Sequence, residues 1–548
     1  MTAISLIQMC ILGLTLALLP VGLVFSRQAL WEWLREIPRP VLGALAVVVV
    51  GGTLARLYGS LWSVDYENAH AYHTFAAFGA HAGSSNPVYS LGVPVLWHAL
   101  FAFTHPSLDA AFTLHFVLGS LTPALIFFAA RGIYRNDGAA LVTATLLAFN
   151  PTHIRTSASD NFFVPQLFFW SLGLGVLAFS LSHPRGRPAL FSAAAALCFG
   201  AQCRPFGAVA GIVAAAIFLL QDGGPRPWLR EPSFRASLAL TAVAFPLHVF
   251  FLVHDTLPEG MRINATDGVP RLARILKPES NALLDLATTP WVLPVLALAG
   301  LVALSARPHR RTLALVVLPL LVNQWFNGPG AQNETGRLRY HLEPLFWTTI
   351  LGGASVLLLP RWSRLVGRGR TLAVAALMLL AASGLYFNRR LLSRRFDSQQ
   401  EYSFLRRAVP PLPASATLVM LDDRLPGTAL NTALPQPWFE TLGKRWEYVP
   451  ATTWRSGSSE SPDRPVLWYR GITCWMFDGP EPKPPAVSGL PGQPDPRMRR
   501  ECQDLERAFV LEPIAESSFA AHPERMIDVA PRLTIGFYRL HPRGGGTP

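Results

Sequence analysis

Apolar blocks alternate with short polar connectors along most of the chain, and many blocks approach the about 20 residues that cross a bilayer's hydrocarbon core. Arginines in the connectors order these blocks by the positive-inside bias. Ile4–Phe25 precedes Arg27, Arg35 and Arg39, so this connector is expected in the cytoplasm. Val41–Tyr58 then runs outward, and Leu108–Ala130 returns to Arg131 and Arg135. Val88–Phe103, lying between them, is apolar but must not cross, or every later loop would carry the wrong sign. It is expected to lie at the outer interface or to re-enter, which buried backbone tolerates.

The same alternation continues. Ala139–Ile154 goes out and Phe162–Leu181 returns to Arg185 and Arg187, while Ala189–Gly200 goes out and Phe206–Leu220 returns to Arg226, Arg230 and Arg235. Leu238–Val253 exits, Trp291–Ala306 returns to Arg307, Arg310 and Arg311, and Leu313–Phe326 exits again. Leu345–Leu359 returns to Arg361, Arg364, Arg368 and Arg370, and Leu372–Tyr386 leaves for the last time. The expectation is an α-helical polytopic membrane protein of about twelve spans with both termini outside. Residues 1–387 form its membrane domain, with long outer loops at 59–107, 254–290 and 327–344. The first block has no basic residue ahead of it and no small-x-small site behind it, so it is expected to stay as an uncleaved span.

Beyond Phe387 the pattern changes to Pro, Arg, Asp and Glu, with no block able to span. Glu401–Ala408 has helical spacing, and Ala416–Leu421, Pro465–Tyr469 and Leu533–Tyr538 read as strands. Residues 388–548 are therefore expected to form a small soluble α/β domain on the outer side, ending in a disordered tail. Cys474 and Cys502 both fall in it, and an extracytoplasmic setting permits a disulfide between them. Cys10, Cys198 and Cys203 fall in or beside spans, as small apolar residues.

Composition agrees with the pattern. Of 548 residues 51% are hydrophobic and only 15% charged, against about 25% charged in soluble chains. The net charge of +13 comes from 47 Lys+Arg against 34 Asp+Glu. In a membrane protein that excess belongs to cytoplasmic arginines rather than to nucleic-acid binding. No P-loop, dinucleotide fingerprint or Gly-x-Ser-x-Gly is present, which removes support for ATP-driven transport and Rossmann chemistry.

Ionisable residues gather at one membrane face. Asp65 and Glu67 stand in the first outer loop, in Ser63-Val-Asp-Tyr-Glu-Asn, followed by Asn86-Pro-Val-Tyr89. Asp160 sits on the next outer turn, in Ser157-Ala-Ser-Asp-Asn, and Arg204 on the turn after that. Arg262, Arg271, Arg274 and Lys277 dot the second long loop, and Arg337-Leu-Arg-Tyr340 closes the third. Each has a plainer alternative: Asp65 and Asp160 as helix caps, the arginines as headgroup-level charges.

In order and topology, roughly Val41–Tyr386 resembles the GT-C-fold glycosyltransferases that use polyprenyl-phosphate sugars, the broad family of protein mannosyltransferases and lipid A aminoarabinose transferases. Pro151…Asp160…Phe168-Phe169-Trp170 is similar to the family's second-loop aspartate stretch, and Arg339-Tyr340…Pro344…Gly352-Gly353 to its arginine–tyrosine motif. Two departures stand out: Tyr66 separates Asp65 from Glu67, and Asn86-Pro87 replaces a Pro-Pro. The resemblance implies a polyprenyl-phosphate sugar donor and a lipid, glycan or protein acceptor. It implies Asp65 as general base with Glu67 as fallback, Asp160 as a positioning carboxylate, and Arg339 with Tyr340 at the donor phosphate; Arg204, Arg262, Arg271 and Lys277, read from the outer loops themselves, are further phosphate candidates. His70, His73 and His81 beside two carboxylates leave a divalent metal open, although their spacing matches no ligand frame. A transporter or flippase for a lipid-linked saccharide is the alternative, disfavoured because the spans carry few ionisable groups.

Overall fold

The computed structural model describes residues 3–63, 91–204, 228–251, 277, 281–306, 309–327, 338, 340–359, 368–395, 397–420, 439, 442–451, 454, 464–475, 496–521 and 531–542. The membrane part opens with α1 (Ala3–Phe25), α2 (Arg27–Arg35) and α3 (Arg39–Gly59). It continues through α4 (Gly92–Phe101), α5 (Leu108–Tyr134), α6 (Asp137–Ala148), α7 (Pro151–Thr156), α8 (Phe163–Ser182) and α9 (Leu190–Cys203). Beyond these come α10 (Pro232–Phe251), α11 (Val292–Ser305), α12 (Arg310–Asn327), α13 (Leu342–Gly353) and α14 (Arg368–Phe387). Among the described residues four helices are long and apolar enough to cross a membrane alone: Ile7–Phe25, Arg39–Gly59, Leu108–Tyr134 and Phe163–Ser182. The other apolar helices are shorter, and the expected Phe206–Leu220 span lies outside the described residues.

Two expected spans differ in form. Ala139–Ile154 is not one helix: α6 stops at Ala148, and α7 restarts at Pro151. Proline lacks the N–H that would continue the ladder and biases the residue before it toward extended backbone. Asn150 takes that conformation, φ −70° and ψ 118°, and its side chain accepts from His153 N at 3.0 Å to cap the new helix. Leu345–Leu359 is α13 followed by a 3₁₀ turn over Ala354–Leu358. There a Cβ on Gly353 would lie 2.7 Å from Ala139 O, so only glycine admits this approach to α6. The Val88–Phe103 segment contains α4, whose ten residues span about 15 Å, too short to cross.

α5 and α8 pack along their lengths at the centre of the bundle, with α9, α6 and α13 around them. Trp170 packs on Phe346 and Trp347 there, with centroids 6.1 and 6.0 Å away. At one end of the bundle, Ser107 Oγ caps α5 by accepting from Ala110 N at 3.0 Å. At the opposite end Arg131 Nε meets Asp137 Oδ1 at 2.8 Å.

After α14 come α15 (Arg389–Ser393), α16 (Asp397–Ala408) and α17 (Pro496–Ala508), with strands β1 (Ser415–Met420), β2 (Arg445–Pro450), β3 (Val466–Arg470), β4 (Phe509–Ala520) and β5 (Arg532–Pro542). The sheet order is β2-β1-β3-β5-β4. β1 is parallel to both neighbours, while β5 runs antiparallel to β3 and β4. Period-two alternation gives the sheet two apolar faces. Leu418, Leu467, Ile535 and Phe537 share a core with Tyr402, Phe404 and Leu405 of α16. Val419, Trp468 and Tyr538 pack with Cys502 and Leu505 of α17 on the other face. Cys474 and Cys502 are joined as a disulfide with Cα atoms 5.7 Å apart.

The α/β unit does not hang free of the bundle. Tyr402 of α16 meets Phe112 of α5 edge to face at 5.5 Å and donates to Asp109 Oδ1 at 3.0 Å. Arg406 Nη2 stands 3.1 Å from Asp109 Oδ2. The unit is therefore seated on the end of the bundle where α3 finishes, α5 begins and the α7–α8 turn lies.

Candidate active site

The α7–α8 turn carries Asp160, which is fully buried. Its shape is set by its neighbours: Ser159 Oγ donates to Thr156 O at 2.7 Å and accepts from Asn161 N at 3.2 Å. Asn161 Oδ1 accepts from Phe163 N at 3.0 Å. Asn161 thus satisfies the first backbone N–H of α8. α5 presses against the turn at Gly119, where a Cβ would sit 2.6 Å from Ser157 Oγ.

Arg204 follows the last residue of α9 and is buried, its guanidinium carbon 4.1 Å from the Phe163 ring centroid and 5.4 Å from that of Tyr340. Those two rings meet edge to face at 6.2 Å. One arginine held between two aromatic rings therefore joins the start of α8, the end of α9 and the segment entering α13. Such stacking uses the guanidinium face, whereas its N–H groups lie in the plane that a phosphate or carboxylate addresses.

Below the turn is a residue that the span reading passed over. Arg56 follows sixteen uncharged residues of α3 and is fully buried. All five of its N–H groups find acceptors. Nε donates to Ser157 Oγ at 3.1 Å, Nη1 to Gly52 O and Ala148 O at 2.8 Å each, and Nη2 to Leu147 O at 3.3 Å and to His153 Nδ1. The cation thus sits at the C-terminus of α6, where the helix dipole favours positive charge. It also ties α3 to both sides of the helix break. The signal was available: a lone arginine within a span needs a reason to be there.

A second polar group lies beside Tyr340. Buried His341 places Nδ1 3.5 Å from Asp285 Oδ2 and 3.3 Å from Thr288 Oγ1, and Thr288 donates to the same carboxylate. Thr152 of α7 donates to Thr288 O at 2.7 Å. With the Asn323 amide turned so that its nitrogen faces the carboxylate, buried Glu343 accepts from it at 3.2 Å and the amide oxygen accepts from Trp347 Nε1 at 2.9 Å. No spacing rule pointed to these residues, because their partners are distant in sequence.

Of the residues singled out in the sequence, Asp160, Arg204 and Tyr340 are described, and their segments meet at one end of the bundle. Lys277 is exposed. Asp65, Glu67, Arg262, Arg271 and Arg339 lie outside the described residues, as do His70, His73 and His81. Among the described residues no group of three His, Cys, Asp or Glu could hold a metal ion. The chain just after α3 is described: Ser63 forms a parallel bridge with Ser159, the neighbour of Asp160.

A buried arginine, a buried carboxylate and a stack of aromatic rings thus meet at one end of a bundle of apolar helices. Residues 90–251 match the family model for dolichyl-phosphate-mannose-protein mannosyltransferase, less than half of the chain. Two solved structures share the fold at a TM-score of 0.50 each. ArnT from Cupriavidus metallidurans bound to undecaprenyl phosphate is 14% identical, covering 78% of this chain and 92% of that one. ArnT from the same organism in the apo state is 12% identical, covering 90% and 98%. No curated protein matches the sequence. At these identities the likeness to the solved structures is one of fold. The chain has the ArnT-type GT-C fold of an integral membrane protein, in agreement with the sequence resemblance.

Proposed function

We propose that the protein is a membrane glycosyltransferase that moves a sugar from a polyprenyl-phosphate donor to a hydroxyl acceptor at the outer membrane face. The observation that carries this reading is the meeting of Arg204, Tyr340 and the Asp160 turn at one end of an ArnT-type bundle. An apolar bundle beneath a buried cation suits a ligand with a long hydrocarbon tail and a phosphate head. The solved relative bound to undecaprenyl phosphate supports the same ligand class.

In the proposed reaction the acceptor oxygen bonds to the anomeric carbon as the bond from that carbon to the phosphate oxygen breaks. Asp65 takes the acceptor proton, with Glu67 as the fallback. Arg204, with Arg339 and Tyr340, stabilises the leaving polyprenyl phosphate, and Arg262, Arg271 and Lys277 are the outer cations of that site. Asp160 orients the acceptor or the neighbours of the base. Asp65 is two residues beyond Ser63, and two residues of chain reach at most about 7 Å. The Ser63–Ser159 bridge therefore supports putting both carboxylates in one site. A positioned carboxylate base contributes roughly 10²–10⁴-fold.

The test is sugar transfer from radiolabelled polyprenyl-phosphate sugars in proteoliposomes. Asp65→Asn keeps the side-chain size but cannot take the proton, so the rate should fall by roughly 10²–10⁴ while undecaprenyl phosphate binding persists. A dead Glu67→Gln beside an active Asp65→Asn would move the base to Glu67. Full activity in both would refute the catalytic assignment of this loop.

A further inference from the structure

The C-terminal α/β domain grips the base of the first outer loop through Gln399 of α16. Its Nε2 donates to Leu61 O at 2.8 Å, and its Oε1 accepts from Arg155 Nη2 at 3.2 Å. Arg155, on α7 immediately before the Asp160 turn, also donates to Gly59 O and Leu392 O at 3.2 Å each, and to Arg394 O. The main chain of Leu61 is closed from both sides, since its N–H donates to Arg155 O at 3.0 Å. Its side chain forms a separate apolar cluster with Leu338, the residue before Arg339, and Leu391, at the entry to the soluble domain.

Every residue from Gly59 to Ser63 is fastened. Ser60 Oγ donates to Ile154 O at 2.7 Å, and Ser63 bridges Ser159. Trp62 takes φ +47°, a left-handed conformation that costs a bulky residue strain. It is held by its ring against Phe116 at 5.2 Å and by Nε1 donating to Leu57 O at 3.2 Å. Strain of this kind persists only where the surroundings over-determine the backbone, and it clusters where position matters.

We infer that Gln399 is a positioning residue: the C-terminal domain fixes Gly59–Ser63, the launch point of the first outer loop, against the Asp160 turn. The domain is then a working part of the transferase rather than an appendage. This inference rests on the proposed glycosyltransferase reading for its kinetic arm, but not for its structural arm. Gln399 touches neither donor nor acceptor in this role, so its loss should lower turnover without loosening the lipid phosphate. A misplacement of about 1 Å can cost on the order of 10²-fold in rate.

The experiment uses the full chain in lipid nanodiscs, comparing wild type with Gln399→Ala and Gln399→Glu. Glutamate keeps the acceptor for Arg155 but cannot donate to Leu61 O. Arg407→Ala, an exposed position on the same helix whose side chain does not touch Gln399, is the control. Amide exchange of a peptide covering Leu57–Ser63 should speed at least tenfold in both Gln399 variants, with peptides of β1 and β5 unchanged. Turnover should fall roughly ten- to a hundredfold, while the Kd for undecaprenyl phosphate stays within twofold of wild type. Unchanged exchange in both variants overturns the inference, and so does turnover equal to wild type once exchange has risen. Absence of transfer by wild type on any polyprenyl donor refutes the functional reading alone, because the exchange arm still decides whether the domain holds the loop. Should the alanine variant fail to fold, the glutamate variant carries the test.

Discussion

Replacing Arg56 with methionine tests whether one buried cation holds the turn beneath the site. The substitution keeps most of the stem's volume and removes five hydrogen bonds. Their losses are unequal. Leu147 O keeps the Asn150 N–H at 3.3 Å, and Ser157 Oγ keeps its bond to His153 O at 2.5 Å. Ala148 O and His153 Nδ1 lose the guanidinium donor inside the bundle. A buried polar group deprived of its partner costs about 1–3 kcal/mol, so the two together cost roughly 2–6 kcal/mol. That range brackets the about 3–5 kcal/mol typical of breaking a buried charged network. Removing the buried charge itself offsets part of the loss, which puts the expectation near the lower half. Thermal unfolding in detergent, followed by tryptophan fluorescence and gel filtration, should show a drop of several degrees. Arg56→Lys, which keeps the charge but not the five-fold donor set, should fall between. Transfer should drop alongside stability, because Ser157 and the Asp160 turn lose their support together. An Arg56→Met protein melting within 1 °C of wild type would refute the argument that this network holds the turn.

The remaining predictions address other parts of the chain. Arg204→Ala should weaken undecaprenyl phosphate binding about ten- to a hundredfold, the cost of one charge-assisted contact, and should also lower the melting temperature because Phe163 and Tyr340 lose the group stacked between them; unchanged binding would remove Arg204 from the donor site. Denatured, unreduced protein should show no reactive thiol at Cys474 or Cys502, and the double Cys→Ala variant should lose about 3–4 kcal/mol from the α/β unit, given the separation of 28 residues that the bond closes. A cysteine placed at Ser459 should react with an impermeant reagent in intact cells, and protection there would reverse the proposed orientation.

What the sequence determined follows from short-range rules that need no knowledge of the fold. Apolar blocks of bilayer length, and arginines in alternate connectors, reveal a helical membrane protein because lipid admits only backbone that pairs with itself. The strands Ser415–Met420, Val466–Arg470 and Arg532–Pro542 were legible through β-rich runs, and the helix Asp397–Ala408 through its spacing. Asp160, Arg204 and Tyr340 could be singled out because polar residues at span ends are few.

Tertiary structure alone decided which of these residues share a place. Phe163, Arg204 and Tyr340 stack although they come from three distant segments, and no local periodicity encodes such a meeting. The same holds for Asp285 and His341, and for Gln399, whose amide reaches a carbonyl 338 positions away. Arg56 is the intermediate case. The sequence shows an arginine that a span should not contain, but only the break between α6 and α7 supplies the carbonyls that make its burial affordable. A buried charge is stable only where distant chain brings enough acceptors to replace water.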